Sequence, residues 1–182
     1  MIIDDFSRDL LMTGAIFGIA TFMWAGWAQE RPPKHWIWRV ILGVLSLAGA
    51  ALAGISLPAA IRNWSEPTAI TWGGTASTWY VIVFWVEVMV MVALSIWARR
   101  RRRTDLIAPL ILAVVGIHFI PLAWVFAQPI LAVAGVLMAV VAVVAALVPD
   151  KVAARSFWCG IIAAPILLGV GTACAIIAFG VL

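Results

Sequence analysis

The sequence predicts an all-α polytopic membrane protein with six transmembrane helices, and three observations carry that prediction. Six apolar runs, each close to one bilayer crossing of about 20 residues, fill most of the 182-residue chain. Charged residues are only 11% of the total, against about 25% in ordinary soluble domains. The connectors between the runs hold nearly every lysine and arginine. With 65% hydrophobic residues and a mean hydropathy of +1.13, the whole of residues 1–182 reads as a single transmembrane domain. The net charge of +4 is carried by short basic connectors, which suit lipid headgroups and topology signals, so nucleic acid is not an expected partner.

The first run, residues 10–28, contains GAIFG at 14–18, a small-xxx-small face on which another helix can approach closely. The start MIIDDFSRD is acidic where a secretory signal needs positive charge, so no cleaved signal peptide is expected. Pro32 and Pro33 end the run, and Trp27, Trp36 and Trp38 mark an interface. The second run, 40–61, is nearly free of polar groups and rich in Gly and Ala, which suits a packed structural helix. A longer loop, 62–77, contains Pro67 and the pair Gly73 and Gly74.

The third and fourth runs, 78–98 and 106–126, flank the connector 99–105 and form the hairpin around which the chain is expected to be organised. They carry the two ionisable residues set deep in apolar runs, Glu87 and His118. A charged carboxylate at the centre of a spanning helix costs roughly 2.5–3.5 kcal/mol on insertion scales, so Glu87 demands a reason. Counting about 1.5 Å per residue from the connector places both groups some 18–20 Å inside, at one depth. Antiparallel helices joined by a short loop are neighbours, so a Glu87–His118 contact is expected.

A tight turn at Ala127, Gln128 and Pro129 leads to the fifth run, 130–148, and Pro149 and Asp150 end it. The sixth, 157–182, contains Pro165, Gly169 and Gly171, positions for a kink or a close neighbour. Cys159 and Cys174 lie 15 residues apart in that run, about 22 Å along a helix, too far for a disulfide. They read as small buried apolar residues.

Ten of the twelve basic residues fall in the first, third and fifth connectors, and the other two are Arg8 and Arg62. The positive-inside rule then places both termini outside the cytoplasm, in a cell membrane of bacterial inner-membrane type. Arg99, Arg100, Arg101, Arg102 and Arg103 are expected to fix that orientation and to meet anionic lipid headgroups.

Short matches recur in order in the two halves. Gly18–Ile19 before Ala28–Gln29 resembles Gly116–Ile117 before Ala127–Gln128, GVL occurs at 43–45 and 135–137, and Ser-x-Trp opens runs three and six at Ser77 and Ser156. Three spans per half would make such a repeat inverted, a 3+3 arrangement familiar in transporters.

Two functional readings follow. In the first the protein is transporter-like or channel-like, Glu87 and His118 form a midplane protonation site, and Pro121 loosens the helix beside His118. In the second it is a non-catalytic scaffold or partner subunit, with Glu87 and His118 as interhelical glue satisfied by each other, by Tyr80 or Trp85, or by backbone carbonyls. Trp85 lies at the depth of Glu87 but on another helix face.

No catalytic Ser, His and Asp set, reactive cysteine or metal-ligand spacing occurs, so an enzyme is not expected. A haem or metal role for His118 lacks a second histidine in any span, since His35 is in a connector. No cofactor is expected. Partners are expected to be the bilayer itself and a second copy or membrane partner.

The stretch His118-Phe119-Ile120-Pro121-Leu122-Ala123 resembles one in small uncharacterised bacterial multi-span membrane proteins. The resemblance covers only part of the fourth run and implies no activity or site roles.

Overall fold

The computed structural model describes residues 2–182. Six helices follow one another: α1 (Ser7–Trp27), α2 (Ile37–Arg62), α3 (Thr75–Arg100), α4 (Ile107–Val125), α5 (Pro129–Leu147) and α6 (Arg155–Val181), with single 3-10 turns at Ala28–Glu30 and Thr104–Leu106. Each helix is long and apolar enough to cross a bilayer, and among the described residues there is no strand. The fold is that of an all-α multi-pass membrane protein. Helix ends fall within three residues of those read from the sequence.

The ends follow from local chemistry. Arg31, which precedes Pro32, is forced out of the helical region to φ −154° and ψ 75°, and the 3-10 turn stops there. Gln128, before Pro129, is likewise extended at φ −121° and ψ 91°, and Pro129 then starts α5 with its ring at a position that has no donor to lose. Helices α3 and α4 both close with a residue in the left-handed region, Arg102 at φ 54° and Ala127 at φ 51°. In each case the next amide reaches back five residues, Arg103 N–H to the Ala98 carbonyl and Gln128 N–H to the Ala123 carbonyl, both at 2.8 Å. This satisfies carbonyls the helix end would otherwise orphan.

Small residues decide the packing. Lipid tails are as apolar as side chains, so helices gain from association chiefly where backbones come close enough for dense van der Waals contact. A methyl group added to Gly18 would lie 2.6 Å from the Gly49 carbonyl oxygen and the Ala53 nitrogen, so α1 and α2 cross backbone to backbone. At Gly116 it would lie 2.7 Å from the Gly135 oxygen and the Ala139 nitrogen, and α4 and α5 cross in the same way. Gly160 of α6 sits against the Trp24 carbonyl and Ala28 of the α1 end, and Gly171 sits against Phe17. Consequently α1 lies between α2 and α6, α4 packs on α5, and α6 joins the two groups.

The α3–α4 hairpin is not the organising centre that the sequence suggests. Helix α3 packs on α4 and on the 3-10 turn beside it, and only Ser77 and Ala98 along it are buried, whereas α1 and α6 bury eleven residues each. Its sequence from Thr75 to Arg100 contains no glycine, so it lacks the contact that brings the other helices backbone to backbone. The ionisable Glu87 thus lies on the helix that packs least.

The matched crossings also refine the two-half comparison. Gly18 and Gly116 occupy corresponding places, as their shared Gly-Ile suggests. The GVL register does not hold: the residue under Gly116 is Gly135, whose counterpart in the first half is Gly49, while Gly43 faces open space. Ser77 and Ser156 both stand buried in the first turns of α3 and α6.

Replacing Gly116 with Val should force α4 and α5 apart and lower stability by about 1–3 kcal/mol, the usual cost of overpacking. Gly43→Ala should leave stability unchanged or slightly raised. Thermal unfolding of the purified protein in one detergent compares the two directly, and equal losses would contradict the crossing.

Candidate functional site

The looseness of α3 leaves a cavity of about 700 Å³ bounded by α1, α3 and α4. One face of each helix lines it. On α1 the stripe is Asp9, Thr13, Phe17, Ala20, Trp24 and Trp27, at the three- and four-residue spacing of a single helix face. On α3 it is Tyr80, Phe84, Glu87 and Met91, and on α4 Ile111, Val115, His118 and Leu122. Behind them Phe17 of α1 meets Phe119 of α4 with ring centroids 5.1 Å apart, and this contact forms the back wall. Helices α1 and α3 do not pack together, and Ile16, Met23 and Phe84 along their edges are 48%, 64% and 46% exposed. The opening between these two helices therefore faces the lipid.

Glu87 and His118 meet midway along the cavity. Glu87 Oε1 is 3.1 Å from His118 Nδ1, and the two side chains are 12% and 14% exposed. The contact is misaligned for a hydrogen bond, and Nδ1 is left as a buried polar atom without a partner. Among the described residues no lysine or arginine pairs with Glu87, and no third His, Cys, Asp or Glu joins the pair to make a metal cluster. The pair is thus in contact yet incompletely satisfied, in a space open to other molecules.

Tyr80 lines the cavity, its ring edge-on to Phe126 at 5.9 Å. Trp85 does not: it is 57% exposed, edge-on to Phe84 and turned to the outside of the bundle. Pro121 is also outside the lining, on the exposed side of α4 one turn after His118. Its missing N–H leaves the Ile117 carbonyl without its usual helical donor, which softens α4 next to the site.

Two further polar residues hold the face that carries the termini, and one of them, Asp9, also lines the cavity. Asp9 is only 5% exposed. It accepts hydrogen bonds from Thr68 Oγ1 at 2.8 and 3.0 Å and from the Ala69 amide at 2.8 Å, with Arg8 Nε 3.7 Å away. Arg8 in turn donates to the Trp64 carbonyl at 2.7 Å and lies over the Trp64 ring. Together these contacts hold the loop between α2 and α3 against the start of α1. Gln128, 1% exposed, clasps the backbone of Ile3, accepting from its amide at 3.1 Å and donating to its carbonyl at 2.5 Å. The signal for Asp9 was present, since Asp9, Thr13 and Phe17 share one face at a spacing of four. The partner of Gln128 is 125 residues distant in sequence, and nothing local announces it.

On the opposite, basic face polar links tie the three connectors together. Arg155 pairs with Asp105, Ser156 Oγ donates to Glu30 Oε2 at 2.7 Å, and Arg31 donates to the Asp150 carbonyl at 2.8 Å. A second cavity of about 540 Å³ opens among them and includes Arg99. Trp27 lines both cavities and stacks on Trp24 at 5.4 Å, so this aromatic pair stands between them. Of the other arginines, Arg100 and Arg101 flank a shallow surface beside Trp97, Arg102 makes the left-handed turn, and Arg103 is 3.6 Å from Asp105. Cys159 and Cys174 are both free and fully buried in the apolar core.

No protein-family model, curated protein or solved structure matches the chain.

Asp9→Ala should strand the Thr68 hydroxyl and the Ala69 amide and lower stability by roughly 2–4 kcal/mol, as the loss of charge-assisted buried bonds does. It should also free the α2–α3 loop, making the bond after Arg62 a faster site of tryptic cleavage. An Asp9→Ala protein with unchanged melting and unchanged cleavage would remove Asp9 from this role.

Proposed function

We propose that this membrane protein is a small carrier that binds a lipophilic molecule in the α1–α3–α4 cavity, with Glu87 and His118 as its proton-exchanging site. The observation that carries the proposal is the cavity itself, large enough for a drug-sized ligand and reaching the two ionisable groups embedded in the apolar runs. A carboxylate and an imidazole that touch without a well-formed hydrogen bond are poised to exchange a proton or a ligand between them. Helix α3 is the element free to move, since it is tied only along α4 and the turn beside it, and Pro121 softens α4 near the site. The Trp24–Trp27 pair, which stands between the two cavities, argues for alternating access rather than an open channel. In the same proposal the basic connectors face the cytoplasm of a bacterial inner membrane and bind anionic headgroups.

The scaffold reading requires a dry and fully bonded Glu87–His118 contact. Its requirements fit less well, because Nδ1 is unpartnered and the pair borders open space.

Purified protein in proteoliposomes holding a pH gradient should accumulate one or more lipophilic test compounds faster than empty liposomes, and collapsing the gradient should stop it. Glu87→Gln, which keeps shape and removes the titrating charge, should lower gradient-driven uptake at least tenfold. Uptake by Glu87→Gln equal to that of the unaltered protein would overturn the assignment.

A further inference from the structure

We infer that the cavity selects a lipophilic monocation, an aromatic or alkyl amine or onium ion entering from the bilayer between α1 and α3. The inference rests on the reading of the cavity as a ligand site and adds the charge and character of what it takes.

Charge complementarity points to a cation. The ionisable groups facing the space are Asp9 from α1, Tyr80 and Glu87 from α3 and His118 from α4, and α2 and α6 contribute none. No lysine or arginine lines it. Asp9 is already compensated by Arg8 and by the two donors of the α2–α3 loop. Glu87 has only His118, which brings no positive charge when neutral and is misaligned in any case. The cavity therefore contains one uncompensated carboxylate in apolar surroundings, where a buried charge without a partner is unfavourable and an incoming opposite charge is strongly favoured. An anionic lipid or fatty acid would meet Glu87 with like charge, and a neutral lipid would leave it unpaired.

The remaining lining suits the body of such an ion. Phe17, Trp24, Trp27, Tyr80 and Phe84 offer aromatic surface to a diffuse positive charge, and Met91 supplies a polarizable, adaptable wall beside Glu87. The opening toward lipid fits a compound that is already concentrated in the bilayer.

Tetraphenylphosphonium and tetraphenylborate, nearly the same shape with opposite charge, separate charge from fit. Their equilibrium binding to the full-length protein in lipid nanodiscs is measured by dialysis against empty nanodiscs, at about pH 8, above the usual titration range of histidine. The phosphonium should bind at least tenfold more tightly than the borate, with quenching of tryptophan fluorescence, and Glu87→Gln should remove the preference. The wild-type comparison stands whether or not the variant folds. Equal binding of the two ions, or a phosphonium preference that survives in well-folded Glu87→Gln, would overturn the cation assignment while leaving a ligand cavity in place. Failure of both ions to bind above empty nanodiscs would overturn it together with the ligand-site reading beneath it.

Discussion

The structure depends on where glycine lets one helix backbone touch another. In lipid there is little hydrophobic force to drive helices together, so association follows close approach and dense contact. Gly18 on Gly49, Gly116 on Gly135 and Gly160 on the end of α1 bring five helices into two closely packed groups joined through α6. Helix α3 has no glycine and stays at the edge. The cavity is the space that remains when five of the six helices make glycine-mediated crossings and α3 does not.

That asymmetry also explains the chemistry of the site. If α3 met α1 as α6 does, Glu87 would be enclosed and would need a fully formed pairing to be tolerated. At the edge it needs only partial shielding, and its contact with His118 remains incomplete. The polar anchors lie at the ends instead: Asp9 and Gln128 tie down loop and N-terminal segment on one face, and Arg155, Ser156 and Arg31 link connectors on the other. Fixed ends with a loose lateral wall make a molecule whose interior opens sideways more readily than along its axis.

Much of this was legible in the sequence. The six spans follow from hydropathy and length, because a bilayer imposes one crossing length on every helix. The meeting of Glu87 and His118 followed from counting residues on either side of a short connector. The Gly18 and Gly116 correspondence was visible as a repeated Gly-Ile, although GVL proposed the wrong partner register for α2. The rare ionisable residues, by contrast, do not mark the packing centre. Burial depends on small residues at matched heights on two helices, a property of pairs that a single run does not display. For Asp9 the helix face it shares with Thr13 and Phe17 shows in the sequence but its partners do not, because its donors, Thr68 and Ala69, lie in a loop whose course no periodicity defines. Gln128 reads in the sequence as turn chemistry, whereas its side chain bonds the backbone of Ile3.

The central claim is that Glu87 borders a space reachable from the lipid rather than a sealed helix interface. Reaction of the membrane-embedded protein with a lipophilic carbodiimide at a series of pH values down to mildly acidic, where carboxyl groups take up protons, followed by peptide mass spectrometry, tests it most directly, because such reagents partition into the bilayer and add to protonated carboxyl groups they can reach. The account predicts modification at Glu87 well ahead of the carboxylates in the connectors, which lie outside the apolar layer. Absence of any adduct at Glu87 while connector carboxylates react would contradict it and return the pair to a closed structural contact.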